Sequence, residues 1–172
     1  MTTPGMPQLT TERLLLSPLT REHADDLVAL YADPDVARYV GGTGLTPASI
    51  PAQAARFADE WRERGYGQSA VLDRESGAFL GRIGLHHWSV WNEVELGYVL
   101  AAHAQGRGLA AEGCRAWIEW ARSAPGVEQL IAVIDPGNAP SIGLATRLGF
   151  TLDRPDVTPS GVPVLVYRLE LV

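Results

Sequence analysis

The stretch Glu95-Leu96-Gly97-Tyr98-Val99-Leu100, followed shortly by Gln105-Gly106-Arg107-Gly108-Leu109-Ala110, decides how this chain is read. The first six residues read as a strand, with Glu95, Gly97 and Val99 on one face by alternation. The second six place two glycines just ahead of an amphipathic helix over Arg107–Arg122. Its apolar stripe is Ala110, Cys114, Trp117, Ile118 and Ala121. Glycine lets the backbone turn tightly and approach a ligand closely. The helix that follows aims unpaired N–H groups and its positive dipole end at the loop. Such a loop is an anion site suited to a pyrophosphate, held mainly by backbone, with Arg107 adding charge at the rim.

Working toward the N-terminus, Gln68–Asp73 and Ala78–His87 read as strands around an Arg74–Gly77 turn. Trp88–Trp91 is the next turn, and Glu93–Leu100 is the third strand of the meander. Ahead of these lie a strand over Glu12–Leu19 and a helix over Arg21–Ala32 with Thr20 as its N-cap. A short helix over Pro34–Val40 is stopped by Gly41-Gly42, and a helix over Ser49–Arg64 is stopped by Gly65. Met1–Gln8 is read as a loose arm preceding one domain over 9–172. Beyond the loop helix, Glu128–Ile134 is a strand, Pro140–Leu148 a helix closed by Gly149, and Thr151–Asp153 and Val164–Leu171 are strands. The order predicts an α/β domain (an α+β mixed sheet). Its N-terminal strands are antiparallel and a parallel crossover joins Glu93–Leu100 to Glu128–Ile134.

Composition narrows the function classes. The 172 residues carry a net charge of −6, with 46% apolar and 20% charged residues, the profile of a globular protein with a real core. All 14 basic residues are Arg, so Schiff-base lysine chemistry and a Walker lysine are excluded. The acidic balance argues against nucleic acid as a partner. Cys114 is the single cysteine, which removes disulfide frameworks and Cys-rich metal sites, and no metal is expected. No apolar run is long enough to span a membrane, and Met1–Gln8 lacks the features of a signal peptide, so a cytoplasmic setting is the expectation.

The same glycines also match a dinucleotide fingerprint, Gly106-x-Gly108-x-x-Ala111, with Asp135 as a ribose-binding acid. Three features oppose an NAD(P) site. Ala101–Gln105 separate the glycines from their strand, too little chain follows for a second mononucleotide unit, and the preceding strands are antiparallel.

Taken together, Glu95–Leu100, Gln105-x-x-Gly108-x-Ala110, Asn138-x-x-Ser141 and Leu148-Gly149-Phe150 resemble the GNAT superfamily of acyl-CoA-dependent N-acetyltransferases. The opening Thr11-Glu12-Arg13-Leu14-Leu15-Leu16 with Pro18-Leu19, and the Asp135-Pro136-x-Asn138-x-x-Ser141 run, are similar to its RimJ/RimL-like branch. The likeness extends from about Leu9 to the C-terminus. It implies a sheet whose Glu93–Leu100 and Glu128–Ile134 strands are parallel and splayed. It implies acetyl-CoA as co-substrate: Tyr98, Val99 and Leu100 meet the pantetheine arm, and Gln105, Gly106, Arg107, Gly108, Leu109 and Ala110 meet the pyrophosphate. Asn138 and Ser141 would stand across the cleft. The acceptor would be a primary amine, on a protein N-terminus or a small molecule, and a homodimer is a family-level expectation.

An attacking amine must lose a proton, and the leaving thiolate needs one. Glu95 is the first candidate base, with Glu93 as fallback; both also read as salt-bridged strand residues. Ser141 is the candidate acid or thiolate stabiliser, or a residue capping the helix N-terminus. Family members with a Tyr acid carry it where Ala145 stands, and those with a Glu on the next strand have it near Val133. Nor has the late carboxylate of some RimL-type enzymes a counterpart in Thr151–Pro163. These departures keep a second reading open, a catalytically degenerate acyl-CoA-binding regulatory module. His86 and His87 end a strand near the cleft, and His103 reads as surface. Cys114 reads as core, and Glu112, Arg115, Glu119 and Arg122 as a solvated face. Trp61, Trp88 and Trp91 either line the acceptor site or pack a core, and Asp33, Asp35 and Glu60 are acids able to attract a cationic amine.

Overall fold

The computed structural model describes residues 6–40 and 45–172. The Gly41-Gly42 stop and residues 1–5 of the expected arm lie outside the described residues. Of the rest of that arm, Met6 packs against the main core, and the Gln8 amide donates to Ser17 Oγ at 2.8 Å.

In chain order the elements are β1 (Leu9–Thr10), β2 (Leu14–Pro18), α1 (Ala24–Tyr31), α2 (Pro34–Ala37), α3 (Ile50–Arg64), β3 (Gln68–Asp73), β4 (Phe79–Trp88) and β5 (Glu93–Leu100). They continue with α4 (Leu109–Ser123), β6 (Gln129–Ile134), α5 (Ala139–Arg147), β7 (Thr151–Val157) and β8 (Pro163–Glu170). Among the described residues the strands form one eight-stranded sheet in the order β1-β2-β3-β4-β5-β6-β8-β7. Neighbours are antiparallel except β5 and β6, which run parallel through the α4 crossover. This is a mixed α/β single domain, and it lacks the doubly wound parallel sheet that a dinucleotide fold needs.

Local chemistry sets the turns. The Asp73 carboxylate accepts from the Glu75 and Ser76 N–H groups, closing the β3–β4 hairpin. Several elements differ from the sequence reading, and the helix expected over Pro34–Val40 ends at Ala37. The strand expected over Glu12–Leu19 spans only Leu14–Pro18, because Thr11–Arg13 forms the turn between β1 and β2, held by hydrogen bonds to Glu112. The helix expected from Arg21 opens with a 3₁₀ turn over Arg21–His23, whose first N–H groups Thr20 caps. β7 runs on to Val157 through Pro155, since an edge strand tolerates a residue without an N–H.

Two apolar layers sandwich the sheet. Leu14, Leu16, Ile83, Leu85, Leu96 and Leu100 pack under Cys114, Trp117, Ile118 and Ala121 of α4. A Cβ at Gly113 would lie 2.5 Å from Ile83 Cδ1, so glycine there lets α4 sit directly on β4. On the other face Leu27, Leu30 and Tyr31 of α1 join Val36, Ile50, Ala54 and Val99. Burying each large side chain stabilises the fold by roughly 1.5–3 kcal/mol. β5 therefore has Leu100 in one core and Val99 in the other, and its C-terminal end is clamped from both sides.

Candidate active site

β5 pairs with β4 along its whole length, from Gly81↔Leu100 to Trp88↔Glu93. Its pairing with β6 is confined to Glu95↔Ile131. From Gly97 onward the β6-facing edge of β5 has no strand partner, so the two parallel strands diverge and open a cleft of about 930 Å³. Glu95, Tyr98, Val99, Leu100, Gln105, Gly106, Gly108, Leu109, Ala110, Asn138 and Ser141 all line it. Arg107 does not: its side chain is exposed, and its carbonyl accepts from Arg13 Nη1 at 2.9 Å.

The loop at one end of the cleft is built for an anion. Gly106 and Gly108 have φ of 74° and 76°, a left-handed conformation that side chains disfavour. α4 consequently starts at Leu109 rather than Arg107, and no side chain caps its N-terminus among the described residues. Its first N–H groups are left for a ligand, next to a loop with open space at Gly106. The Gln105 amide donates to the Leu100 carbonyl at 3.0 Å, tying the loop to the end of β5.

A support for this loop was not legible in the sequence. Glu112 accepts from Arg13 Nε at 2.8 Å and from the Arg13 N–H at 3.0 Å, and it also accepts from the Thr11 hydroxyl. Arg13 then reaches the Arg107 carbonyl. Glu112 is thus a clamp between β1–β2 and the loop, not part of a solvated face. Burial alone would raise its carboxyl, but these hydrogen bonds outweigh that and hold it below the usual range. The signal was present in Thr11-Glu12-Arg13, which the sequence offers only as a family likeness.

Across the cleft, Asn138 caps α5, its Oδ1 accepting from the Ser141 N–H at 3.3 Å. The cap is therefore Asn138, and Ser141 is the residue being capped. The Ser141 hydroxyl stands beside the Tyr98 phenol, which burial raises and Ser141 partly pulls back.

At the foot of the cleft, Glu95 shares a face with Gly97, and a Cβ on Gly97 would lie 3.5 Å from Glu95 Cδ. Trp88 Nε1 donates to Glu95 Oε1 at 3.1 Å. His86 sits directly opposite Glu95 in the β4–β5 register. Burial raises the Glu95 carboxyl above the usual range, against the opposing pull of His86, Trp88, Arg82 and the Val133 N–H. His86 in turn contacts Glu60 Oε2 through Nδ1 at 2.9 Å. Burial pulls His86 down, but Glu60 and then Glu95 outweigh it, and its value is raised. The chain Glu60–His86–Glu95 joins two residues the sequence reading kept apart.

Other candidates fall elsewhere. Glu93 is held by Arg154 and Arg168, each at 2.8 Å, so the fallback base is an ion-paired structural group. Trp61 is 1% exposed and packs on Trp117, which makes it core. Trp88 lines the cleft, while Trp91 packs behind it and under Arg154. Asp33 caps α2, and Asp35 reaches the cleft wall. His87 binds Asn92, and His103 is exposed. Cys114 is buried in the core, which pushes its thiol up to about 12. Among the described residues no group of three or more His, Cys, Asp or Glu is placed to hold a metal, and no helix is long and apolar enough to cross a membrane.

The family model described as acetyltransferase (GNAT) domain matches residues 13–151. An L-methionine sulfoximine/L-methionine sulfone acetyltransferase from Pseudomonas aeruginosa is 33% identical, over 73% of this chain and 73% of its own. The crystal structure of an acetyltransferase from Agrobacterium tumefaciens superposes with a TM-score of 0.80 at 33% identity, covering 95% of this chain and 94% of that one. A ribosomal-protein-S5-alanine acetyltransferase from Vibrio fischeri shares the fold, with a TM-score of 0.74 at 14% identity and coverage of 95% and 96%.

Proposed function

The chain belongs to the GNAT acetyltransferase family, and from that premise we propose that it is an N-acetyltransferase, moving the acetyl group of acetyl-CoA to a primary amine by direct attack in a ternary complex. One observation carries the reading. The unpaired edge of β5 leads, through a 3₁₀ turn over Ala102–Ala104 and the glycine loop, to an uncapped helix N-terminus on the same cleft, which suits an extended arm and a pyrophosphate with Glu95 at the far end.

Acetyl-CoA supplies the electrophilic carbonyl carbon; the C–N bond forms there as the C–S bond breaks, leaving CoA thiol and the N-acetyl product. The chain's residues do the rest. Backbone N–H groups of Gln105–Ala110 hold the pyrophosphate, and the free edge at Tyr98–Leu100 aligns the arm. A backbone N–H on that edge meets the negative charge that develops on the carbonyl oxygen. Glu95 receives the amine as its ammonium and takes the proton, directly or through one water. Its raised carboxyl suits a base working near neutrality. Glu60 and His86 orient and charge-balance Glu95. The Ser141 hydroxyl, backed by Tyr98, stands where a proton can be delivered to the departing sulfur. Tyr98 lies far in sequence from the usual family acid, whose place Ala145 takes. Positioning supplies much of the acceleration.

The test is thiol release together with mass detection of the acetylated product, over N-terminal peptides, aminoglycosides, polyamines and amino acids. Turnover with any amine supports the proposal. Tight acetyl-CoA binding without turnover across the panel refutes it and favours the acyl-CoA-binding regulatory module, the reading that Ala145 keeps open.

A further inference from the structure

The acceptor side of the cleft holds a positive charge that the proposed chemistry leaves unused. Arg82 lies on β4 four residues before His86, on the same face by strand alternation, and lines the cleft. Its Nε donates to the Tyr31 hydroxyl at 2.7 Å, and its Nη1 donates to Gln68 Oε1 at 2.9 Å. The guanidinium also lies 5.3 Å from the Phe57 ring centroid. Every one of these partners is neutral.

A half-buried cation normally acquires an anion, because desolvating it alone is costly. Elsewhere this chain follows that rule: Arg154 and Arg168 each meet more than one carboxylate. Arg82 has no carboxylate within 4.0 Å among the described residues, and residues 1–5 and 41–44 contain no Asp or Glu to supply one. Its Nη2 donates to nothing among the described residues. Tyr31 and Gln68 are themselves buried, at 8% and 2% exposure, so two interior polar groups are spent on fixing the fork. The result is a rigid, preorganised guanidinium facing the cleft with three of its five N–H donors free among the described residues.

We propose that Arg82 binds the carboxylate of the acceptor, and that the acceptor is a small amino acid with an uncharged side chain. This rests on the N-acetyltransferase reading. The ammonium sits at Glu95, the carboxylate takes the free side of the Arg82 fork, and Phe57 and Trp88 offer apolar walls to the side chain. Gln53, whose Oε1 is buried without a partner among the described residues, lines the same cleft. The closeness of the two charge sites shows in the pull of Arg82 on both His86 and Glu95. A protein N-terminus fits less well. Its first carboxyl carbon is a neutral amide, which leaves Arg82 unpaired unless a following acidic side chain supplies the charge.

The test compares glycine, alanine, leucine, methionine and phenylalanine with their amides and decarboxylated amines. Two blocked tripeptides are added, one starting with Ala and one with Asp, all with acetyl-CoA. A charge-assisted hydrogen bond of ordinary strength gives the amino acids an advantage of about 10- to 100-fold in kcat/KM. Arg82→Gln should bring that ratio close to one, and Arg82→Lys, which keeps the charge but loses the fork, should leave an intermediate ratio. If Arg82→Gln does not fold, the wild-type ratios and the Lys variant carry the test alone. Equal or better use of the amides, amines or Asp-peptide overturns the inference while leaving acetyl transfer intact. A second readout is the rise in melting temperature on adding amino acid to the protein saturated with CoA. A rise that Arg82→Lys weakens keeps the carboxylate site even without turnover of these acceptors; no rise with the amino acids overturns it, while the transferase reading stands or falls separately, on turnover across the wider amine panel.

Discussion

Replacing Gly108 with Asp should separate folding from cofactor binding, because the two respond in opposite directions to a charge at the start of α4. Gly108 has φ of 76° and is the N-cap residue of that helix. A left-handed side-chain residue costs about 1–2 kcal/mol, less for Asp, which tolerates that region. An acidic N-cap returns about 1 kcal/mol. Space is available, since a Cβ would find Arg13 Nη2 at 3.5 Å as its near neighbour. The net change in stability is thus within about 1 kcal/mol, or a few degrees in Tm for a chain of this size. Binding suffers far more. A carboxylate about 4 Å from one phosphate charge is repelled by about 4 kcal/mol at an effective dielectric of 20, which is close to a thousandfold in Kd. Gly108→Ala is the control: it keeps the backbone strain without the charge and should weaken binding less than about tenfold, on a tertiary site that still folds. Calorimetric titration with acetyl-CoA, alongside a thermal melt, reads both quantities. An Asp variant that melts normally and binds acetyl-CoA as the wild type does would show that the pyrophosphate does not sit at α4.

Three further outcomes are expected. Glu95→Gln should lower kcat by about 10²- to 10⁴-fold, the usual range for a lost general base, while acetyl-CoA affinity holds; the wild-type rate should rise with pH through the raised Glu95 and His86 values, and an unchanged pH–rate profile in the variant would remove Glu95 as the base. Glu112→Gln should loosen the Arg13–Arg107 support and weaken acetyl-CoA binding several-fold. Because the Glu112 carboxyl is lowered in the fold, its contribution to stability is present above the unfolded carboxyl value and lost as pH falls through the folded one, so acid melts of wild type and variant should converge there. Ser141→Ala should slow a single turnover modestly without shifting the melt, since the α5 cap is made by Asn138 Oδ1; an unchanged rate would leave Ser141 with no chemical role.

The two walls of the cleft were unequally legible in the sequence, for a physical reason. The wall proposed for the cofactor is nearly contiguous: Glu95–Leu100 and Gln105–Ala110 form a strand and a glycine loop whose backbone would do the holding. Local pattern is enough to find such a site. The opposite wall presents Phe57 of α3, Gln68 of β3 and Arg82 and His86 of β4, with Tyr31 of α1 and Glu60 of α3 bonded to them from outside the cleft, and only the tertiary fold brings these together. A turn at Trp88–Trp91 would set His86 opposite Glu93. The turn actually spans Ser89–Asn92, with Asn92 at φ 53°, and this one-residue slip moves the pairing to His86↔Glu95. Asn is among the few side-chain residues that enter the left-handed region readily, so Asn92 was the available clue. Glu112 escaped for a similar reason: helical spacing shows which residues share a face, but not that Arg13 arrives there from 99 positions away.

Electrostatic layout gives the net charge its proper weight. The chain is acidic overall at −6, yet positive potential stands free at two places on one cleft, at the uncapped N-terminus of α4 and at Arg82. Arg82 stands in register with Val99, and Glu95 lies further back along β5, opposite His86. In the proposed binding mode a pyrophosphate meets the α4 end, an ammonium meets Glu95 and a carboxylate meets Arg82, whereas a diamine or a polyamine would set its second cation against Arg82. The fork cannot be discharged by raising pH, because a guanidinium stays protonated throughout the working range. Selection against dicationic acceptors should therefore persist at high pH, while an activity that depends on Glu95, as proposed, should change with it. Salt separates the two places in the same way: the exposed loop is screened within about 8–10 Å at ordinary ionic strength, and the half-buried Arg82 much less.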